Sequence, residues 1–582
     1  MGPSHAPKGK NLLSRLKSVL ELERLKSRFV NDGGRTQFSS NTGACSGSGQ
    51  VEPSEWRKLD SRRLGISRSM IPVSSWIVLK NLRDEGFDAY LVGGCVRDLL
   101  LNKIPKDFDV ITTATLKQVK RKFHKAMIFG QRFPICGVHI KGSLVEVSSF
   151  DTVAENSKRK QVGRSRLPTG CDPRDFVRWK NCMSRDFTVN SLFFDPLRNE
   201  IFDYTNAMMD LKSLKLRTVM PAHSSFLEDQ ARILRGLRLA ARLNLSFSKE
   251  TEAAIYGLSS LVAEVSTSRL NLEMNYMLSY GAAEPSLLLL KRFKLLEILL
   301  PFHAAYLSEK VDNRLGSRSL MLMKLFFNLD QLITCDRPCA QSMWVAILSF
   351  HMALFSNPQP AVVVLTFASL LYHQAWEESI EFARRSAPAA RVYAPEILDA
   401  SHYLSDDEIA ERVTQFAAQV ENSVNILVNK DCLFEAMARF PETPCSGLVL
   451  VSQKMGKQVQ HIFHVLQKDV TLLKAGKRFS EIDYRLLTAG NLDQVRFVLG
   501  KIILDTLVYE PTAERWPTKA KKDNIEAHNS MVKGENKSWT SPSNNVRSLE
   551  SASKTNSFQD NSVVTDGRRS SINLLSQLFA SR

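Results

Sequence analysis

Two aspartates stand one residue apart in the stretch DFDVIT, Asp107 and Asp109. Read as a strand, the stretch sends alternate side chains to opposite faces, so both acids point one way and Phe108 points into an apolar core. Two carboxylates so close repel, and one holds a proton unless a cation lies between them. The hard cation that suits carboxylates, phosphates and water is Mg2+. Just upstream, DAYLVGG ends in Gly93 and Gly94. Glycines between a strand and a helix let backbone N–H groups approach a phosphate, whose charge the helix start favours. A glycine turn alone is a common connection. Followed within one short unit by an Asp-x-Asp strand, it reads as a site for a triphosphate and a metal.

The elements that must position these groups can be read from the same region. Ile71, Val73, Trp76, Ile77, Leu79 and Leu82 have helical spacing, and Gly86 stops the helix. DAYLVGG is a strand, CVRDLLLN a helix, DFDVIT a strand, TLKQVKRKFH a helix, and PICGVHI and SLVEVSSF two further strands. This alternation predicts an α/β or α+β domain over residues 65–215. Within it, Asn156–Arg178 is polar and rich in Lys, Arg and Pro, and reads as a mobile loop over the site. From about Met220 the pattern becomes helix after helix.

The stretch LVGGCVRDLLL…PKDFDV resembles the head-domain signature of the class II nucleotidyltransferase superfamily, in the branch of bacterial poly(A) polymerases and tRNA CCA-adding enzymes. Further blocks agree in order: LVEVSSF, with Glu146; SRDFTVNSLFFDP; IFDYTNAMMDLKSLKLRTV; and LEDQARILRGLRLAARL, which is similar to a Glu-Asp-x-x-Arg neck helix. The matches cover residues 65–245. Two departures stand out: Ser184 replaces the first Arg of an Arg-Arg-Asp block, and Asn206-Ala207 replaces a Gly pair.

The resemblance implies an α+β protein: a small mixed-sheet, DNA polymerase β-like head domain followed by an all-α neck, body and tail. It implies that Asp107 and Asp109 hold two Mg2+ ions and that an RNA 3′-OH attacks the α-phosphate of ATP. Gly93, Gly94 and Arg97 would bind the triphosphate, and Arg185 and Asp186 the nucleotide and its ribose. Asp186 and Glu146 are rival candidates for a third carboxylate. Asp229 and Arg232, three apart on one expected helix, would share a face and offer an acceptor and a donor to a base edge. Arg235 and Arg238 would continue that face toward phosphate or RNA; a solvated basic face is the plainer reading of these arginines.

Between the branch's two activities, the segment IFGQRFPI (Ile128–Ile135) follows the poly(A) polymerase pattern except at Gln131, and a His-Gly-Thr-like turn of CCA-adding enzymes is missing. The expectation is therefore a template-independent RNA adenylyltransferase. A CCA-adding enzyme and a non-catalytic RNA-binding protein on a decayed transferase scaffold are the alternatives. The partner is an RNA 3′ end: mRNA, an RNA decay intermediate or tRNA.

Composition agrees. With 78 basic and 60 acidic residues the formal net charge is +18, which suits a polyanionic partner. Of the nine cysteines, Cys335 and Cys339 are spaced C-x3-C, but no second Cys/His pair sits at metal-ligand spacing, and all nine read as reduced thiols. The apolar segments Met343–Phe355 and Ala361–Tyr372 are short and read as core helices, so no membrane is involved. Residues 1–64 form a basic, Ser/Gly-rich extension. It reads as a transit segment for chloroplast or mitochondrion, or else as an RNA-touching arm in nucleus or cytoplasm. The expected domains are this extension, the head (65–215), the neck (216–280), an RNA-gripping body and tail (281–515) and a disordered tail (516–582).

Overall fold

The computed structural model describes residues 56–130, 134–152, 170–309, 319–391, 393, 395–398, 403–474 and 481–508. An eight-stranded sheet carries the head, in the order β1-β8-β7-β2-β3-β6-β5-β4. The strands are β1 (Arg57–Asp60), β2 (Ala89–Val92), β3 (Val110–Thr112), β4 (Ala126–Phe129), β5 (Ile135–Ile140), β6 (Ser143–Ser149), β7 (Phe193–Asp195) and β8 (Glu200–Asp203). Neighbours are antiparallel except β3 and β6, which run parallel, so the sheet is mixed.

Helices α1 (Val73–Asp84), α2 (Gly94–Leu100) and α3 (Leu116–Lys122) connect these strands. Val78, Leu79, Leu91, Val96 and Val110 join a core that runs without interruption through the neck into the helical body. The opposite sheet face carries a separate aromatic cluster, with Tyr90, Ile111, Phe193, Phe202 and Tyr204, under α4 (Pro173–Met183). Arg178 of α4 donates to the hydroxyls of Tyr204 and Tyr90, 2.6 Å each, and so pins the helix to the sheet.

Three sequence expectations are corrected here. Order begins before residue 65: β1 pairs with β8, and Ser61 and Leu64 are buried. Its RKLD sequence is polar because β1 is an edge strand, so apolar alternation is absent. The expected loop Asn156–Arg178 is helical from Pro173. Asp172 caps that helix through Arg174 N, and proline occupies its first turn, where a missing N–H costs nothing. The remainder of that loop, 153–169, lies outside the described residues, as do the extension up to residue 55, Gln131 and the tail 516–582. Thirdly, β3 starts only at Val110, because β2 ends at the glycine turn. One further bond, from Val92 N to the Asp109 carbonyl at 3.1 Å, anchors Asp109 at the strand's mouth.

The head ends with α5 (Ala207–Lys212), and the neck comprises α6 (Ala222–Glu228), α7 (Ala231–Leu243), α8 (Lys249–Leu258) and α9 (Thr267–Leu278). In the body, helices Gln341–Ser356 and Ala361–His373 are almost wholly buried, as their unbroken apolar sequences require. No helix among the described residues is long and apolar enough to cross a membrane. Helix Leu492–Leu507 packs on Ala361–His373. Gly500 permits this crossing: a Cβ there would stand 2.6 Å from the Ala368 carbonyl oxygen.

Candidate active site

Asp109 and Glu146 come together by register. Val110 pairs with Val147 in the parallel β3–β6 ladder, and one step back along it sets Asp109 beside Glu146. Burial pushes the Asp109 carboxyl up; Arg185 pulls it back and Asp107 raises it. Glu146 is pushed up to about 6, by burial first and then by the charges of Asp109 and Asp107. Asp107 is the open member, its side chain 68% exposed, with Lys106 Nζ 3.8 Å from its Oδ2. Phe108 packs against the main core, as the alternation predicts.

The glycine turn lies against this cluster. Gly93 has φ 76° and ψ −133°, a conformation closed to residues with a side chain. A Cβ there would meet Arg185 Nη1 at 3.0 Å. Arg185 is held by the Asn190 carbonyl at 3.1 Å and the Asn181 side chain at 3.2 Å, and remains partly open beside the turn. Arg97 does not face outward as expected. It is buried, its Nη2 lies 2.7 Å from Asp98 Oδ1, and its Nη1 donates to the Asn190 side chain. It braces the turn from beneath.

Asp186 likewise turns from the acid pair toward the neck. Its Oδ2 accepts from Arg235 Nη1 at 2.9 Å; its Oδ1 accepts from Phe187 N at 2.8 Å and Asn190 Nδ2 at 3.2 Å. Of the two candidates for a third carboxylate, only Glu146 shares the field of Asp107 and Asp109.

The expected single neck helix is two helices. Asp229 sits in the break between α6 and α7, extended at φ −152°, and caps α7 by accepting from Ala231 N at 3.2 Å. Asp229 and Arg232 therefore do not share one helical face. Asp229 Oδ2 accepts from Arg269 Nη2 at 2.6 Å, while Arg232 donates to Glu228 at 2.9 Å and Ser225 Oγ at 3.0 Å. Nor do Arg235 and Arg238 form a free basic face: both meet the buried carboxylate of Glu273, at 3.6 and 2.9 Å. Sequence reasoning missed Arg269, Glu273 and Tyr276. Their spacing of four and three places them on one face of α9, a signal that was present.

The departures are locally accommodated. Asn206 takes the left-handed conformation, φ 60°, that glycine favours and asparagine tolerates. Ser184 closes α4, its hydroxyl donating to the Asn181 carbonyl at 2.6 Å.

The donor chemistry fits a hard divalent cation: Asp107, Asp109 and Glu146 supply carboxylate oxygens, and their mutual repulsion is what such an ion relieves. Among the described residues, no three His, Cys, Asp or Glu groups are yet gathered closely enough to hold one.

A family model described as "Poly A polymerase head domain" matches residues 89–217, and one described as "Probable RNA and SrmB- binding site of polymerase A" matches residues 244–307. The chain is 34% identical over 240 residues to "Poly(A) polymerase I" of Haemophilus influenzae, covering 40% of this chain and 53% of that protein. It is 31% identical over 314 residues to "Poly(A) polymerase I" of Escherichia coli O6:H1, covering 53% and 66%. To a "CCA-adding enzyme" of Enterococcus faecalis it is 32% identical over 203 residues, covering 34% and 48%. The matched part spans about half the length of most of these relatives.

Proposed function

Because the chain belongs to the class II nucleotidyltransferase superfamily, in the poly(A) polymerase and CCA-adding enzyme family, we propose that it is a template-independent adenylyltransferase acting on RNA 3′ ends. The observation that carries the reading is Asp109, set beside Glu146 by the β3–β6 register and in the field of Asp107 and Arg185, next to the Gly93 turn.

Each residue has a physical task. The backbone N–H of Gly94 and the Arg185 guanidinium receive the triphosphate of ATP, while the Gly93 N–H is donated to the Leu192 carbonyl at 3.3 Å and ties the turn to the sheet. Asn190 and Arg97 hold that turn and that guanidinium in place. Asp107 and Asp109, with Glu146 as third carboxylate, would hold two Mg2+ ions. When bound, those ions activate the RNA 3′-OH and neutralise the departing pyrophosphate. Asp229, held by Arg269, and Arg232, held by Glu228 and Ser225, brace the neck. Identities to the two kinds of relative are alike, so adenylate addition is favoured over CCA addition by the longer match to the poly(A) polymerase relatives and by the IFGQRFPI segment.

Primer extension with single nucleotides tests the reading. With ATP alone the protein should lengthen an RNA primer into an A tail. Addition of only C-C-A to a trimmed tRNA, with CTP required, would establish the second reading. Asp109→Ala should abolish incorporation and spare RNA binding; RNA-linked activity unchanged in that variant would establish a non-catalytic scaffold. An organelle address is proposed from the basic start of the chain alone, and import of a fused reporter tests it.

A further inference from the structure

We propose that Tyr276 and Tyr280, with Lys106, form a stacking platform for the 3′-terminal base of the RNA, an inference that rests on the nucleotidyl-transfer reading above. Tyr276 lies on α9 and Tyr280 two residues past its end, both half-buried. Their ring centroids are 5.2 Å apart, tilted at 52°. Lys106 Nζ lies over both rings, 5.4 Å and 5.1 Å from the centroids, and Arg238 packs on Tyr276 at 5.1 Å. The same ammonium is 3.8 Å from Asp107 Oδ2. Aromatic faces, a half-exposed cation and a site carboxylate thus adjoin one another.

The two aspartates have different neighbours. Asp109 feels Arg185 and the glycine turn, where the triphosphate is placed; Asp107 meets Lys106 and, through it, the tyrosines. An attacking 3′-OH must reach the α-phosphate from the side away from the leaving pyrophosphate, and in this proposal, with the triphosphate at Arg185 and the glycine turn, that side lies at Asp107. Unpaired nucleic acid ends are held by stacked aromatic rings and a cation on the phosphate. Lys106 covers the rings in the free protein. A stacked base outweighs a cation–π contact at a partly exposed site, so an arriving base displaces the ammonium onto the adjacent phosphate. A chain of any sequence can use such a platform, because every base has a π-face.

The test uses the full-length protein and a short oligoadenylate carrying 2-aminopurine at its 3′ terminus. Wild type should quench the terminal probe and should not quench the same probe placed several nucleotides inward. Tyr276→Leu with Tyr280→Leu should remove the quenching and weaken RNA binding about five- to a hundredfold, the range for a lost base–aromatic stack. The Phe variants should behave as wild type. In steady state KM for RNA should rise while KM for ATP stays unchanged, a split that a merely structural role would not produce. No terminal quenching by wild type, quenching retained in the Leu variants, or a rise confined to the KM for ATP would each overturn the platform. AMP incorporation is read separately: its absence with quenching intact removes the transfer reading alone, and incorporation without quenching removes the platform alone.

Discussion

Asp186 and Arg235 join the head to the neck through a hydrogen-bonded ion pair, Nη1 to Oδ2 at 2.9 Å, with the carboxylate only 10% exposed. Burial opposes ionisation of Asp186, yet Arg235 overrides it and holds the carboxyl below its ordinary 3.8. The pair's contribution is therefore present above the ordinary value and is lost as pH falls through the lower folded value. Removing one partner leaves a buried charge, which costs ~3–5 kcal/mol. Asp186→Ala should lie at the low end of that range, because Glu273 still faces Arg235 at 3.6 Å. Urea unfolding of the two single variants and the double variant measures the coupling. Additive losses would mean the pair is not one unit.

Glu146 should impose a pH dependence of the opposite kind. Its folded value of about 6 lies above the ordinary 4.5. As pH rises through that window the unfolded chain releases its proton first, so stability falls, and the penalty persists above the window. Glu146→Gln should melt with wild type below the window. Above it the variant should be more stable by on the order of 1 kcal/mol, after discounting for solvent screening. Mg2+ should close the gap. A difference independent of pH would show that the carboxyl is not under strain.

Gly93→Ala should be damaging out of proportion to its size. At φ 76° and ψ −133° a side chain is strained, and the new Cβ would press on Arg185 Nη1 at 3.0 Å. Loss of ~1–3 kcal/mol is expected from the backbone alone. Because Arg185 is displaced as well, KM for ATP should rise. A variant with an unchanged KM would detach Arg185 from nucleotide binding.

Asn206→Gly should not destabilise, because glycine adopts the left-handed region freely, whereas Asn206→Ala should destabilise by ~1 kcal/mol, because alanine tolerates that region less well than asparagine although both carry a Cβ. The asparagine Oδ1 accepts no hydrogen bond, so its removal forfeits nothing. Thermal melts distinguish the two. Equal losses would mean that the side chain, and not the backbone angle, matters.

How much of this was legible in the sequence depended on whether the signal was local. The glycine turn, the acid pair and Glu146 lie in short segments where spacing and strand alternation dictate placement, and the structure keeps them adjacent. Arg97, Asp186, Arg235 and Arg238 were read as facing a ligand, because a charge pattern along one helix says nothing about the helix packed against it. Asp98 is Arg97's own neighbour on α2, but the other partners come from elsewhere: Asn190 for Arg97, Arg235 for Asp186, and Glu273 for Arg235 and Arg238. The break at Asp229 was hidden for another reason: LEDQARIL has continuous helical period, and only the cap on Ala231 separates α6 from α7. The edge strand β1 left only Leu59 as a hydrophobic trace, too little to show alternation.

The seat of helix Leu492–Leu507 bears on how the chain is made. Its apolar face fills the groove of Ala361–His373 and Met321–Leu332, segments more than a hundred residues earlier. A ribosome that has delivered the chain only to residue 490 presents a body with that groove uncovered. Domains fold as units during synthesis, and surface exposed in the interval is the surface that aggregates. The body is thus the part most dependent on holding factors at birth, and a premature stop before Leu492 forfeits the body's closure even though every head residue has already been translated.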